Sequence, residues 1–273
     1  MTDIAGAKDY YASFHRREWE RLETGEGRLE FEITTSLLAE ALPGSGHVLD
    51  IGGGPGRYSR WLRQAGYEVT LADLSPNLLE LARQQLGPGV VADIVEADIR
   101  DLSRWPSGSF DATLALGPFY HLTDAADRRR ALMEVMRVTV PGGAIAVALM
   151  SKYAFLRRTL AIPDERHRMG DGAFVAEVAD QGIFRNSIPG RFTEGHGVDP
   201  SNAVAPFEEA GLTTVVIAST HGFATGLENQ IDSLRLENPA AYEETLGLLR
   251  ATASDPSLFG TAGHLLYVGT NPA

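Results

Sequence analysis

The chain contains no cysteine. That excludes disulfide frameworks, thiolate metal centres, iron–sulfur clusters and cysteine nucleophiles. It is also short of positive charge: 24 Lys and Arg stand against 36 Asp and Glu, a net charge of −12. Affinity for a nucleic-acid backbone comes from neutralising phosphates with Lys and Arg, so this balance speaks against a nucleic-acid partner. Long apolar runs are missing too. The longest, Ala144 to Met150, falls far below the ~18 residues that span a bilayer, and no signal-peptide pattern opens the chain. These absences predict a soluble, cytoplasmic protein with no membrane partner. What is there is ordinary globular material, 273 residues with 44% apolar and 22% charged. At roughly 100–200 residues per domain, that is one large domain or two small ones. No shift in composition marks a second domain.

Residues 7–42 read as helical, interrupted at Thr24-Gly25-Glu26-Gly27. From Gly46 to Met150, short apolar runs alternate with helical stretches. Strands are expected at Val48–Ile51, Glu68–Ala72, Val90–Glu96, Phe110–Leu116 and Ala144–Leu149. Ser75-Pro76 reads as a helix start, with serine as N-cap and proline at the first helical position. Thr123 reads as the cap of a later helix, with Asp124 and Asp127 in its first turn. Such alternation predicts βαβ units and a parallel sheet with right-handed crossovers. Beyond Met150, residues 151–198 are mixed in character. Asp199-Pro200 opens a helix ending at Gly211, and two late strands follow at Leu212–Ser219 and Leu265–Thr270. The long stretch 221–263 between them is partly helical by the spacing of Leu234, Leu236, Tyr242, Leu246 and Leu249.

Asp50-Ile51-Gly52-Gly53-Gly54-Pro55-Gly56 follows a strand and opens a helix. Glycines there let the backbone approach a ligand closely, and a helix N-terminus favours negative charge. A dinucleotide fingerprint would need a third glycine at position 57, which is Arg57. Asp73 ends the second strand, where an acid accepts hydrogen bonds from ribose hydroxyls. Asp98 ends the third, where a carboxylate can accept from an adenine amine or simply cap a turn.

The runs VLDIGGGPGRYS, VTLAD, EADIRDL, FDATLALGPFYHL and VPGGAIAVAL resemble, in order and spacing, the successive motifs of class I S-adenosylmethionine-dependent methyltransferases. The resemblance implies an α/β, Rossmann-like, seven-stranded sheet of order 3-2-1-4-5-7-6, with helices on both faces and the last strand antiparallel. It implies a single domain: a helical cap over 1–45, a cofactor-binding core over 46–150, and insertions over 151–198 and 221–263. S-adenosylmethionine is the implied cofactor. Gly52, Gly54 and Gly56 would line its methionine part, with Asp50 near its amino group or ordering the turn. Asp73 would bind the ribose, Leu74 would pack on the adenine, and Asp98 with Ile99 would hold the adenine amine and ring. The backbone at Leu116-Gly117 would accept the amino group, and Tyr11 would cover the cofactor. No metal is implied, and the missing cysteines remove thiol-dependent arsenic and RNA-carbon methylation.

Ligands of open parallel sheets bind beyond the carboxyl ends of the strands. The sequence places Tyr120 and His121 there after the fourth strand, Tyr153 after the fifth and His221 after the sixth. An antiparallel last strand adds His264. Histidine is the natural base near neutral pH. His121 has the best address, followed by His221, His196 and His264; Tyr120 would orient the acceptor, touch the methyl group or simply pack its ring. His47, at the opposite end, reads as structural. The cap and the two insertions leave from this edge, which predicts a lidded pocket for a small-molecule acceptor or an interface between two copies. Aromatics gather in these segments (Tyr10, Phe14, Trp19, Phe155, Phe174, Phe184, Phe192), and helix cores explain most of them. The expected reaction is methyl transfer to oxygen or nitrogen of a small molecule such as a natural-product intermediate; a peptide or protein carboxylate is the near alternative. An NAD(P)-dependent oxidoreductase and a non-catalytic cofactor-binding regulator are the readings from other classes.

Overall fold

The computed structural model describes residues 19–21, 23–186, 192 and 194–273. β1 (His47–Ile51), β2 (Glu68–Asp73), β3 (Asp93–Glu96), β4 (Phe110–Ala115) and β5 (Thr139–Ser151) pair in parallel in the order 3-2-1-4-5. β6 (Ile183–Arg185) and β7 (Glu194–Val198) form an antiparallel hairpin. β8 (Thr213–Ser219) and β9 (His264–Thr270) complete the main sheet, which runs 3-2-1-4-5-9-8. β9 is antiparallel to both its neighbours. This is the expected order once the hairpin is counted.

Alternation along the strands feeds two apolar layers. Leu49 and Ile51 of β1 point to one face, where they meet Leu132 and Val135 of α4 (Ala125–Val138). Val48 points to the other face, where it meets Leu38 of α1 (Gly25–Ala41) and Leu62 of α2 (Arg57–Gln64). α3 (Pro76–Leu86) starts as expected: Ser75 Oγ accepts from the Leu78 N–H, and Pro76 follows the cap.

Several boundaries differ from the sequence expectation, each for a physical reason. The cap of α4 is Asp124, not Thr123; its Oδ1 accepts from the N–H groups of Ala126 and Asp127. β3 starts at Asp93 rather than Val90, because Val90 and Val91 turn into the apolar cluster under α3. The interruption expected at 24–27 is present but falls at Glu23-Thr24: helical residues 19–21 end there, Thr24 is the N-cap, and α1 starts at Gly25. Gly25 opens α1 because α8 (Glu228–Glu237) lies against it; a Cβ there would sit 3.1 Å from the Glu228 carbonyl oxygen. The helix expected from Asp199 to Gly211 is a 3-10 turn, Pro200–Asn202, then the short α7 (Ala205–Glu209). Pro206 lacks an N–H and is tolerated only in a first turn, so the helix restarts there. β5 extends back to Thr139, with an irregularity: Thr139 pairs with Phe110, and the next pair is Ala144 with Ala112.

Residues 152–198 carry more structure than the sequence suggested. α5 (Lys152–Ala161), α6 (Gly172–Gln181) and the hairpin share an apolar cluster of Phe155, Phe174, Val178 and Phe184. The second insertion holds α8 and α9 (Pro239–Thr252), which pack on α1 through Leu29, Ile33, Tyr242, Leu246 and Leu249. Leu236, expected on that apolar face, is 70% exposed instead. Among the described residues, no helix is long and apolar enough to cross a membrane.

Candidate active site

The carboxyl ends of β1, β2 and β4 converge on the glycine-rich turn. Gly52, Gly54 and Gly56 have φ of +74°, +55° and +90°, a region open to glycine at little cost. Gly52 also lies under the turn after β4: a Cβ on it would fall 2.3 Å from Pro118 Cγ. Gly54 is different. A Cβ there would meet only Leu78 Cδ1, at 3.7 Å, so the backbone beside it is open to a ligand. The turn after β4 comes close as well, since a Cβ on Gly117 would be 3.5 Å from the Gly52 carbonyl oxygen.

Asp50 sits beneath this turn, 1% exposed, and accepts a 2.6 Å hydrogen bond from Ser59 Oγ of α2. Burial raises its carboxyl to about 6, opposed by the Ser59 bond and reinforced by the charge of Asp73. This bond ties the end of β1 to α2 on either side of the turn. Asp73 ends β2 and grips the turn from the other side. Its Oδ2 accepts from the Gly54 N–H at 2.9 Å and its Oδ1 from the Ser75 N–H at 2.8 Å. Leu74 beside it is half-buried. Asp98 follows β3 and is held by Arg100, whose Nη2 donates to Oδ2 at 2.7 Å. Arg100 also reaches Asp127 of α4, at 3.1 Å. An adenine amine would therefore share Asp98 with a guanidinium. Ile99 is buried, and Leu116 and Gly117 are half-buried at the end of β4. Tyr11, Tyr10 and Phe14 lie outside the described residues.

Arg57 explains why position 57 is not a third glycine. Its guanidinium lies 4.7 Å from the Trp19 ring centre and donates to Glu23 at 2.9 Å, pinning the N-terminal segment to α2.

The expected catalytic side chains lie together, but not equally placed. Tyr120 and His121 occupy a 3-10 turn, Pro118–His121. His121 is covered by the first insertion: its ring is 5.1 Å from Phe192, and it hydrogen-bonds the Glu194 backbone. Burial pushes its pKa down to about 4, with that backbone bond opposing. His196, on β7, is likewise pushed down to about 4 by burial. His221 is 1% exposed, with Nδ1 3.1 Å from Thr220 Oγ1. His47 bonds Thr70 Oγ1 at 2.9 Å at the far end of the sheet, a structural contact. Sequence reasoning missed Glu30 of α1, a buried acid whose Oε2 is 3.5 Å from His264 Nδ1. The only signal was an acid set beside the apolar stripe of Leu29 and Ile33. Phe155, Phe174 and Phe184 prove to be core. Among the described residues no cluster of three or more His, Asp or Glu is placed to hold a metal ion.

A family model described as a methyltransferase domain matches residues 49–147. Those residues are a class I methyltransferase domain. The glycine/sarcosine N-methyltransferase of Parasynechococcus marenigrum is 36% identical over 138 residues, covering 50% of this chain and 49% of the relative. The ubiquinone biosynthesis O-methyltransferase of Xanthomonas axonopodis pv. citri is 32% identical over 126 residues, 46% of this chain and 49% of the relative. The chain thus spans about half the length of the curated relatives it matches. In fold the likeness is wider. An S-adenosylmethionine-dependent methyltransferase from Mesorhizobium loti superposes with a TM-score of 0.59 at 21% identity, covering 90% of this chain and 100% of that one. One from Methanosarcina mazei gives 0.59 at 17% identity, covering 86% and 97%. Family and fold imply S-adenosylmethionine as the cofactor of the methyltransferase domain. The open backbone at Gly54 and the carboxylate of Asp73 at its side fit that ligand.

Proposed function

We propose that this chain transfers the methyl group of S-adenosylmethionine to an oxygen or nitrogen of a small-molecule acceptor in the cytoplasm. The observation that carries this reading is the meeting of the Gly52–Gly56 turn, Asp73 and the Gly117 turn at one edge, with the cluster of Tyr120, Glu30 and His264 beside them. Asp73 would hold the ribose hydroxyls, Leu74 and Ile99 would flank the adenine, and Asp98 would take its amine alongside Arg100. The turn glycines and the Leu116-Gly117 backbone would line the methionine part. When bound, the cofactor supplies an already activated methyl group. The protein then contributes alignment, exclusion of water and removal of a proton.

Relatives named for glycine/sarcosine N-methylation and for O-methylation in ubiquinone biosynthesis support a small acceptor. Three segments would cover it. α1 brings Glu30 to the edge, the first insertion lays Phe192 on His121, and the second packs on α1. The test is incubation with tritiated cofactor and a panel of amines, phenols and natural-product intermediates. Label in none of them, with a carboxyl peptide labelled instead, would favour the peptide reading. Asp73→Ala is expected to weaken cofactor binding at least roughly tenfold, since charge-assisted hydrogen bonds contribute ~1.5–3 kcal/mol each. Unchanged affinity by calorimetry would remove the ribose role.

A further inference from the structure

The carboxyl edge holds a side-chain cluster that the cofactor roles leave unused. Glu30 comes from α1, Tyr58 from α2, Tyr120 and His121 from the turn after β4, His221 from just beyond β8 and His264 from the start of β9. Glu30 Oε2 accepts from Arg21 Nη1 at 2.9 Å and faces His264 Nδ1 at 3.5 Å. It is 7% exposed. Burial alone would push this carboxyl up; the charge His264 carries once protonated, the Arg21 guanidinium and the approach of the His264 ring together hold it well below the usual carboxylate range. An ionised carboxylate therefore faces Nδ1. His264 Nδ1 is buried and makes no hydrogen bond, so the facing Glu30 carboxylate favours a proton on Nδ1 and leaves Nε2 to accept one.

The position of the ring is equally telling. His264 lies 5.5 Å from the Tyr120 ring, and the Tyr120 hydroxyl is 3.8 Å from where a Cβ on Gly117 would be. The imidazole is thus one aromatic ring away from the backbone assigned to the cofactor's amino group. The other histidines are worse placed. A base works best with a pKa near the working pH, and burial has pushed His121 far below it. His221 sits behind His264, with ring centres 6.4 Å apart, and is turned to Thr220.

Resting on the methyltransferase reading above, we propose that His264 takes the proton from the methyl acceptor and that Glu30 positions it, so that the acceptor is a hydroxyl compound, for which catechol serves as the probe. The hydroxyl proton passes to His264 Nε2 as the oxygen lone pair bonds the methyl carbon. The carbon–sulfur bond breaks with its electron pair staying on sulfur, which becomes a neutral thioether. The imidazolium left behind is neutralised by Glu30 and gives its proton to water. A carboxylate acceptor, already ionised, would have no use for this pair.

The test compares the wild type with His264→Gln, Glu30→Gln and Glu30→Asp. Ring 15N shifts are expected to show the Nδ1–H tautomer of His264 in the wild type and to lose that preference in Glu30→Gln. S-adenosylhomocysteine affinity by calorimetry is expected to stay within about twofold in all four. Tritium transfer to catechol is expected to fall about a hundredfold or more in His264→Gln, within the range removed with a general base. Glu30→Gln falls roughly tenfold or more, and Glu30→Asp recovers part of that loss. An Nε2–H tautomer in the wild type overturns the proposal, as does undiminished transfer by His264→Gln. The tautomer needs no acceptor, so it decides the pairing even if catechol is not turned over. Failure of the wild type to bind S-adenosylhomocysteine would instead overturn the methyltransferase reading.

Discussion

Asp50 keeps its proton over a pH range in which the unfolded chain has already released one. Its carboxyl is raised from 3.8 to about 6 by burial. Between those values the native state binds more protons than the unfolded state, so stability falls as pH rises. The slope is at most about 1.4 kcal/mol per pH unit for one group. Asp50→Asn is expected to flatten that fall, measured by urea unfolding at steps between pH 4 and pH 7. An identical pH profile in the variant would mean that other groups carry it. The position of Asp50 under the glycine-rich turn was legible in the sequence, whereas Asp73 was read only as a ribose acceptor and its grip on the Gly54 and Ser75 N–H groups was not. Nor was Glu30. A carboxylate is buried only where partners compensate it, and its partners are Arg21 on one side and His264, near the other end of the chain. Periodicity records neither.

Elements were legible where caps and apolar spacing agree, as at Ser75-Pro76 and along β1. They blurred where tertiary contacts decide. Gly25 reads as a breaker yet serves close helix packing, and the hairpin strand β6 is too short, at Ile183–Arg185, to show a period. The irregularity between Thr139 and Ala144 depends on a residue beyond β9. Asn271 Nδ2 donates to the carbonyls of Met136 and Thr139, each at 2.9 Å, tying the end of α4 to the start of β5. Asn271→Ala would leave those buried acceptors without this donor and is expected to cost about 1–3 kcal/mol by chemical denaturation. A loss within measurement error would show that the bend holds itself.

At the scale of the whole molecule, the sheet order and the two insertions followed from the motif succession and its gaps, while the packing of those segments did not. Their packing joins α1 to residues far along the chain: Tyr242 donates to Glu32 at 2.7 Å, and Arg28 pairs with Asp232 at 3.3 Å. If these segments close over the acceptor, S-adenosylhomocysteine should slow protease cleavage within 152–198 and 221–263. Equal cleavage rates with and without it would argue for a fixed cover or an interface. The second insertion has one more property. It leaves and re-enters the sheet through a closed neck, where the Thr220 N–H and Oγ1 both reach the His264 carbonyl oxygen, at 3.1 and 3.2 Å. The ends of this excursion are already held together, and lengthening or shortening a closed loop adds only slowly to its entropy cost. Residues 221–263 therefore form an excursion pinned at its neck and, through Tyr242 and Asp232, on α1. A change of length inside the excursion is tolerated so long as the face that Tyr242, Leu246 and Leu249 lay on α1 is kept.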